Sequence, residues 1–292
     1  MSSNQLPQTD DSLAAELCSP LPPKRRLFDW SMNAIAFTLT GLALVPLVSV
    51  LWKIVGEGIG GLKPAMFTAS VLDDGFGNAI LGTLVMVGIA ALISVPTGVM
   101  TGIFLSEIGS GTHIGSAVRF ITSILTGVPS IVVGIFAYGV IVLITKQFSA
   151  IAGGFALAVI MLPVIVLTTE EALKLVPKSL RLGSAALGGT RFQTTFRVVV
   201  SAAIPAITTG VLLAIARAAG ETAPLIFTSL FSLDWSQDIN SPTASLSVLI
   251  FNFYNDPSPE KTRLIWTASL VLVGIVLLMS LLSRIVISKR NA

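Results

Sequence analysis

Arg217 and Glu221 are the only ionisable side chains in the apolar run of residues 202–231, and they stand four residues apart. An arginine at the centre of a bilayer costs about 2.5–3.5 kcal/mol on insertion scales. A chain that keeps one there uses it on an internal surface, against a partner or along a substrate path. A guanidinium stays charged and binds oxyanions through paired N–H groups. Four residues on, Glu221 is expected on the same helix face, able to pair with Arg217 when a path is empty. The alternative is a static ion pair that fixes the register of two helices. Thr222 beside them is a candidate hydroxyl donor, against the habit of membrane threonines of bonding their own backbone.

These residues need a membrane scaffold, and the composition supplies one. Of 292 residues 53% are hydrophobic and 11% charged, against about 25% charged in soluble domains, and mean hydropathy is +0.87. This is the make-up of an integral membrane protein, with lipid as its surroundings and no nucleic-acid partner. The single cysteine, Cys18, excludes an intrachain disulfide and a cysteine cluster. His113, the one histidine, stands in a short glycine-rich joint and reads as solvated, so neither a histidine triad nor a metal site is expected.

Residues 1–29 read as a flexible cytoplasmic tail and 30–292 as one transmembrane domain. The tail lacks the basic start and apolar core of a secretory signal. Six stretches are long enough to span: about 31–55, 78–106, 118–145, 150–176, 203–231 and 264–287. With the N-terminus inside, Lys24, Arg25, Arg26, Arg119, Lys174, Lys178, Arg181, Arg191, Arg197, Arg284, Lys289 and Arg290 fall on the cytoplasmic side. Lys53, Lys63, Lys146, Lys261 and Arg263 fall outside, so the positive-inside bias supports both termini being cytoplasmic. Pro96, Pro129, Pro163, Pro205 and Pro224 mark kinks, and Gly98 with Gly102 permits close helix approach. Glu170-Glu171 follows Thr168-Thr169, and Thr168 with Glu171 has the spacing of a capping box, which predicts a helix start; the alternative is a gate contact. The long outer segment 232–262, with Trp235 and Tyr254, is a docking surface or a plain loop.

The cytoplasmic loop 177–200 predicts a helix–turn–helix elbow. Lys178 to Leu187 can form a short helix, Gly188-Gly189 ends it through a left-handed glycine, and Thr190 with Gln193 starts the next with a capping box. Here the chain resembles the permease subunits of bacterial ATP-binding-cassette importers. Leu182-Gly183-Ser184 occupies the place of their Glu-Ala-Ala, Gly188 that of their glycine, and Val200-Ser201 replaces their Leu-Pro.

Three further segments narrow the resemblance. They begin at Thr126-Gly127-Val128-Pro129-Ser130, Thr169-Glu170-Glu171-Ala172 and Ala216-Arg217-Ala218-Ala219-Gly220-Glu221-Thr222-Ala223-Pro224-Leu225. Their order and spacing are similar to those of the PstA-type permease of the phosphate importer, over roughly residues 35–290. One departure is Leu167, where that family often carries an arginine before Thr-Thr-Glu, which weakens the transfer of a second cationic site.

The resemblance implies an all-α fold of the type I importer permease: six transmembrane helices with a coupling helix between the fourth and fifth. It implies a bacterial inner-membrane subunit that imports inorganic phosphate. Its partners would be a PstC-type permease, a PstB-type ATPase homodimer and a periplasmic phosphate-binding protein. ATP and magnesium would belong to the ATPase, since this chain lacks a Gly-x-x-x-x-Gly-Lys-Ser/Thr loop; it is a permease and not an enzyme. Arg217, Glu221 and Thr222 become candidate pathway residues, with Glu221 accepting the proton of hydrogen phosphate, which sulfate lacks near neutral pH. Ser179, Arg181, Ala185, Leu187, Gly188, Thr190 and Phe192 become the coupling loop that sits in a cleft of the ATPase. The rivals are a sulfate or molybdate permease, an ion-coupled secondary transporter, which would usually show internal repeats, and a membrane scaffold that recruits a soluble partner.

Overall fold

The structure, a computed structural model, describes residues 23–288, with side chains to residue 281. Cys18, most of the expected tail, the side chain of Arg284, and Lys289 and Arg290 lie outside the described residues. Helix α1 (Pro23–Gly61) starts earlier than expected. Proline suits a first helical position, where its missing N–H would find no helical partner anyway. Lys24, Arg25 and Arg26 thereby join its first turns. Up to Lys53, α1 is a compact unit by itself, with Trp30, Phe37, Leu42 and Trp52 all exposed. A helix apolar around its circumference belongs in lipid or against another protein.

The second unit starts at Ile54. Among the described residues it holds the end of α1, a short 3-10 turn (Pro64–Phe67) and nine further helices: α2 (Gly77–Ile108), α3 (His113–Gly127), α4 (Ser130–Thr145), α5 (Ala150–Lys174), α6 (Lys178–Ala186), α7 (Arg191–Ala219), α8 (Ala223–Thr228), α9 (Leu246–Phe253) and α10 (Pro259–Ser288). Among the described residues, five helices, α1, α2, α5, α7 and α10, are long and apolar enough to span, and α3 with α4 makes a sixth bent by 106°. The bend has a local cause. A residue before proline is pushed out of the helical region, and Val128 is extended at φ −70°, ψ 127°. Pro129 follows at φ −58°, ψ 137°, and the chain restarts as α4.

The bent pair must still carry the chain across. A Cβ at Gly98 would lie 2.8 Å from Ile165 Cγ2, and one at Gly102 would lie 2.6 Å from Thr169 Cβ. A Cβ at Gly154 would meet Ile89. Contacts therefore advance in the same direction along α2 and α5, so these helices are parallel, and the end of α2 returns to the start of α5 only through α3 and α4. The same contacts give Gly98 and Gly102 a packing role. Against α5, α7 runs antiparallel, with Gly210 pressed on Thr168. The last turns of α1 run antiparallel to α10, Gly58 meeting Leu270 and Gly61 meeting Thr267 and Arg263.

The principal core lies among α2, α5 and α7, where Met86, Leu157, Met161, Ile165, Ala214 and Ala218 pack together. The expected span 203–231 is two helices. Proline cannot donate a backbone bond, and its ring clashes with the carbonyl four residues back; for Pro224 that carbonyl belongs to Gly220. Helix α7 accordingly stops at Ala219, with Gly220 at its C-cap, and α8 begins at Ala223. Thr168 and Glu171 do not start a helix. They lie inside α5, where Thr168 Oγ1 donates to Val164 O at 2.8 Å.

Candidate functional site

The two helix breaks meet across α5. A cavity of about 190 Å³ is lined by Leu125 and Thr126 at the end of α3, by Val128, Pro129 and Ser130 at the bend, and by Val159, Ile160, Pro163 and Val164 of α5. Arg217 and Glu221 complete it. Residues 159–164 are the middle of α5, so the cavity lies at mid-span. It far exceeds the roughly 10–15 Å³ that one water needs, which leaves room for a small hydrated anion.

Arg217 sits in the last turn of α7, but Glu221 lies beyond the helix end, in the link to α8. The expectation of one shared helix face is therefore corrected. The two still approach because Gly220 N donates to Arg217 O at 3.1 Å and Glu221 N to Ala218 O at 3.2 Å, curling the link back. Ser247 Oγ holds Glu221 O at 2.8 Å. Arg217 Nε and Glu221 Oε1 are 3.7 Å apart, with the arginine side chain 58% exposed and the glutamate 17%. This is an open contact, longer than a good charge-assisted bond, and it leaves guanidinium N–H groups free to meet an anion. Thr222 does not line the cavity and does not cap α8 with its side chain.

The bend adds a second source of positive potential. Ser130, the first residue of α4, lines the cavity, and no side chain caps that helix start. The first N–H groups of a helix have no internal partner and carry partial positive charge. An oxyanion held by Arg217 would thus meet a half-helix N-terminus across the same cavity, the arrangement by which broken membrane helices receive anionic groups.

A second charged cluster lies on the elbow side of the cavity, and it was not foreseen from the sequence. Glu170 of α5 is buried, its side chain 1% exposed. Its Oε1 accepts from Arg119 Nε at 3.0 Å and Nη2 at 2.6 Å, and from Lys174 Nζ at 2.9 Å. Leu167 offers no cation, yet the carboxylate has a guanidinium, supplied by α3. The usable signals were the Glu170–Lys174 spacing and a lone arginine within an apolar helix; their pairing across 51 residues is tertiary.

The elbow forms as its local chemistry dictates. Gly188 is left-handed at φ +78°, and Thr190 and Gln193 form a reciprocal capping box. Ser179, Ala185, Leu187, Gly188, Thr190 and Phe192 are exposed, Leu187 at 91% and Phe192 at 71%. Arg181 is different, its guanidinium turned inward to Glu107 at 2.8 Å. His113 is exposed at the start of α3, and Trp235 and Tyr254 are exposed in the outer segment. Among the described residues, no group of acidic, histidine or cysteine side chains could hold a metal ion.

A family profile described as the binding-protein-dependent transport system inner membrane component matches residues 94–290. Fold and match define the class, a multi-pass membrane permease component of such a system. The phosphate transport system permease protein PstA of Yersinia pestis is 39% identical over 277 residues, covering 92% of this chain and 94% of the relative. PstA 1 of Mycobacterium tuberculosis (strain CDC 1551 / Oshkosh) is 35% identical over 289 residues, covering 94% and 93%. The chain belongs to the PstA family of phosphate transport system permeases. Its fold is similar to that of an inward-facing MetNI methionine ABC transporter, with a TM-score of 0.60 at 18% identity, over 73% of this chain and 95% of that one. The type I importer fold is thus shared well beyond recognisable sequence.

Proposed function

We propose that this chain is the membrane permease subunit of an ATP-driven importer that carries inorganic phosphate into the cytoplasm. The observation that carries the reading is the mid-span cavity lined by Arg217, Glu221 and the uncapped start of α4. A planar guanidinium matches two phosphate oxygens at once, and the helix end adds N–H donors. Because Arg217 is only loosely held by Glu221, an arriving anion can take its place beside the guanidinium without breaking a tight pair. Glu221 then stands ready to accept the proton of hydrogen phosphate, a contact sulfate has no proton to make. That chemistry, together with PstA relatives that match 92–94% of the chain, favours phosphate over sulfate or molybdate.

In this reading the chain is half of a heterodimeric channel with a PstC-type permease. A periplasmic phosphate-binding protein delivers the anion to the outer face. A PstB-type ATPase homodimer binds ATP and magnesium and takes the exposed elbow around Ser179–Phe196 into a cleft. The subunit lies in the bacterial inner membrane with both termini cytoplasmic, where the elbow and its basic residues face the ATPase.

The test is radiolabelled phosphate uptake in cells whose own copy is replaced by this chain or by Arg217→Gln, with complex assembly checked in parallel. The wild-type chain should restore uptake, and the substituted chain should assemble yet import little above background. Failure of the wild type to import phosphate overturns the function. Normal uptake by Arg217→Gln overturns the role of the cavity.

A further inference from the structure

Arg181 stands within α6, the helix that the elbow presents to its partner, yet its charge is spent inside the chain. Nη2 donates to Glu107 Oε1 at 2.8 Å and to Leu173 O at 2.9 Å. Nη1 donates to Val176 O at 2.6 Å, and Nε lies 3.5 Å from Glu107 Oε2. Glu107, its side chain only 12% exposed, belongs to the π-helical turn Phe104–Ile108 that ends α2. Leu173 is in the last turn of α5 and Val176 just past it. One side chain therefore ties α6 to the ends of two other helices.

Those two helices are in hard contact with each other. Gly98 and Gly102 of α2 sit so close to Ile165 and Thr169 of α5 that no Cβ fits between them. The pair moves as a unit or not at all, because close-packed interiors transmit displacement rather than absorb it. Helix α5 also carries Val159, Ile160, Pro163 and Val164 of the cavity wall. At its other end α6 meets α7 across the left-handed Gly188, and a single hydroxyl pair, Ser184 Oγ and Thr194 Oγ1 at 2.8 Å, bridges that turn.

We propose that Arg181 is a positioning residue that transmits displacement of the elbow, through Glu107 and the carbonyls of Leu173 and Val176, to the α2–α5 pair and so to the cavity. It rests on the reading of the elbow as the ATPase contact. The group suits the task. The C-terminal end of α5 carries partial negative charge, and a guanidinium has five N–H groups in a fixed plane, enough to serve two carbonyls and a carboxylate together. Lysine would place three donors at one point and leave part of this set unmade.

The experiment uses the whole complex in proteoliposomes: both permeases, the ATPase and the phosphate-binding protein. Phosphate uptake and ATP hydrolysis are measured together for wild type, R181Q, R181K and E107Q. The R181Q complex should assemble, and ATP consumed per phosphate imported should rise by about twofold to thirtyfold, the span of substitutions along a coupling route. R181K and E107Q should fall between R181Q and wild type. A role in folding alone would lower uptake and hydrolysis together and leave their ratio unmoved, and that result overturns the proposal. Loss of the ATPase from an otherwise intact R181Q permease pair also overturns it, by making Arg181 a docking contact. If R181Q does not assemble, E107Q, which lies outside the elbow, decides: an unchanged ratio is fatal. A wild-type complex that imports no phosphate sinks the functional reading first, and this inference with it.

Discussion

Replacing Arg119 by methionine should destabilise the assembled permease more than replacing the glutamate it holds. Glu170 is 1% exposed and receives three N–H contacts on one oxygen, two of them from Arg119. Arg119→Met leaves a buried carboxylate with Lys174 alone, and Lys174 is already shared with Glu171 at 2.9 Å. A hydrogen bond to a charged group contributes about 1.5–3 kcal/mol. The Arg119 side chain is 39% exposed, so solvent screens part of this, and the two bonds act as one unit. The net loss is about 2–3 kcal/mol. In Glu170→Met the buried charge disappears, and the two cations left behind are both partly exposed and can hydrate. That loss should be about 1 kcal/mol, the upper end for an ion pair whose remaining charges stay in contact with solvent. For a domain of this size 1 kcal/mol corresponds to roughly 2–4 °C in Tm. Thermal melting of the detergent-solubilised complex should place Arg119→Met roughly 4–12 °C below wild type by the same scale, with Glu170→Met between them. Equal melting of Arg119→Met and wild type, or a lower Tm for Glu170→Met, would refute this account of the cluster.

Glu221→Gln should retain the cavity while losing the proton acceptor, so sulfate should compete with labelled phosphate several-fold better in uptake assays; unchanged competition removes Glu221 from discrimination. Leu187→Asp combined with Phe192→Asp should release the ATPase during co-purification and leave the permease pair assembled, because both side chains are exposed apolar surface outside the packed core. Full retention of the ATPase would show that it docks elsewhere.

What the sequence discloses depends on how far each cause reaches along the chain. The elbow was readable because its determinants are neighbours: Gly188 needs only its own backbone conformation, and Thr190 and Gln193 cap each other. The bend at Pro129 was readable as a kink, since proline constrains itself and Val128. Its 106° was not, because α4 keeps that direction by lying on α8, where a Cβ at Gly134 would fall 2.7 Å from Pro224 Cα. Pro96, Pro163 and Pro205 show the converse, each inside a helix that continues. The chemistry at a proline is the same in every case, and tertiary support decides whether the helix persists or turns.

The charged residues follow the same rule and sharpen it. Arg217 and Glu221 were conspicuous because lipid makes any isolated charge costly, and they do line one cavity. Their geometry was misjudged because helical spacing was carried through Gly220, where Pro224 ends the helix. Arg119 with Glu170, and Arg181 with Glu107, were not foreseen as pairs, since they are joined across 51 and 74 residues. Spacing within one helix says nothing of partners on another. One unforeseen pair joins α5 to α3 and the other joins α6 to the end of α2, whereas the foreseen pair belongs to one short stretch of chain. Long-range charge pairs therefore join separate helices in this protein, while the short-range pair is closed only loosely, at 3.7 Å.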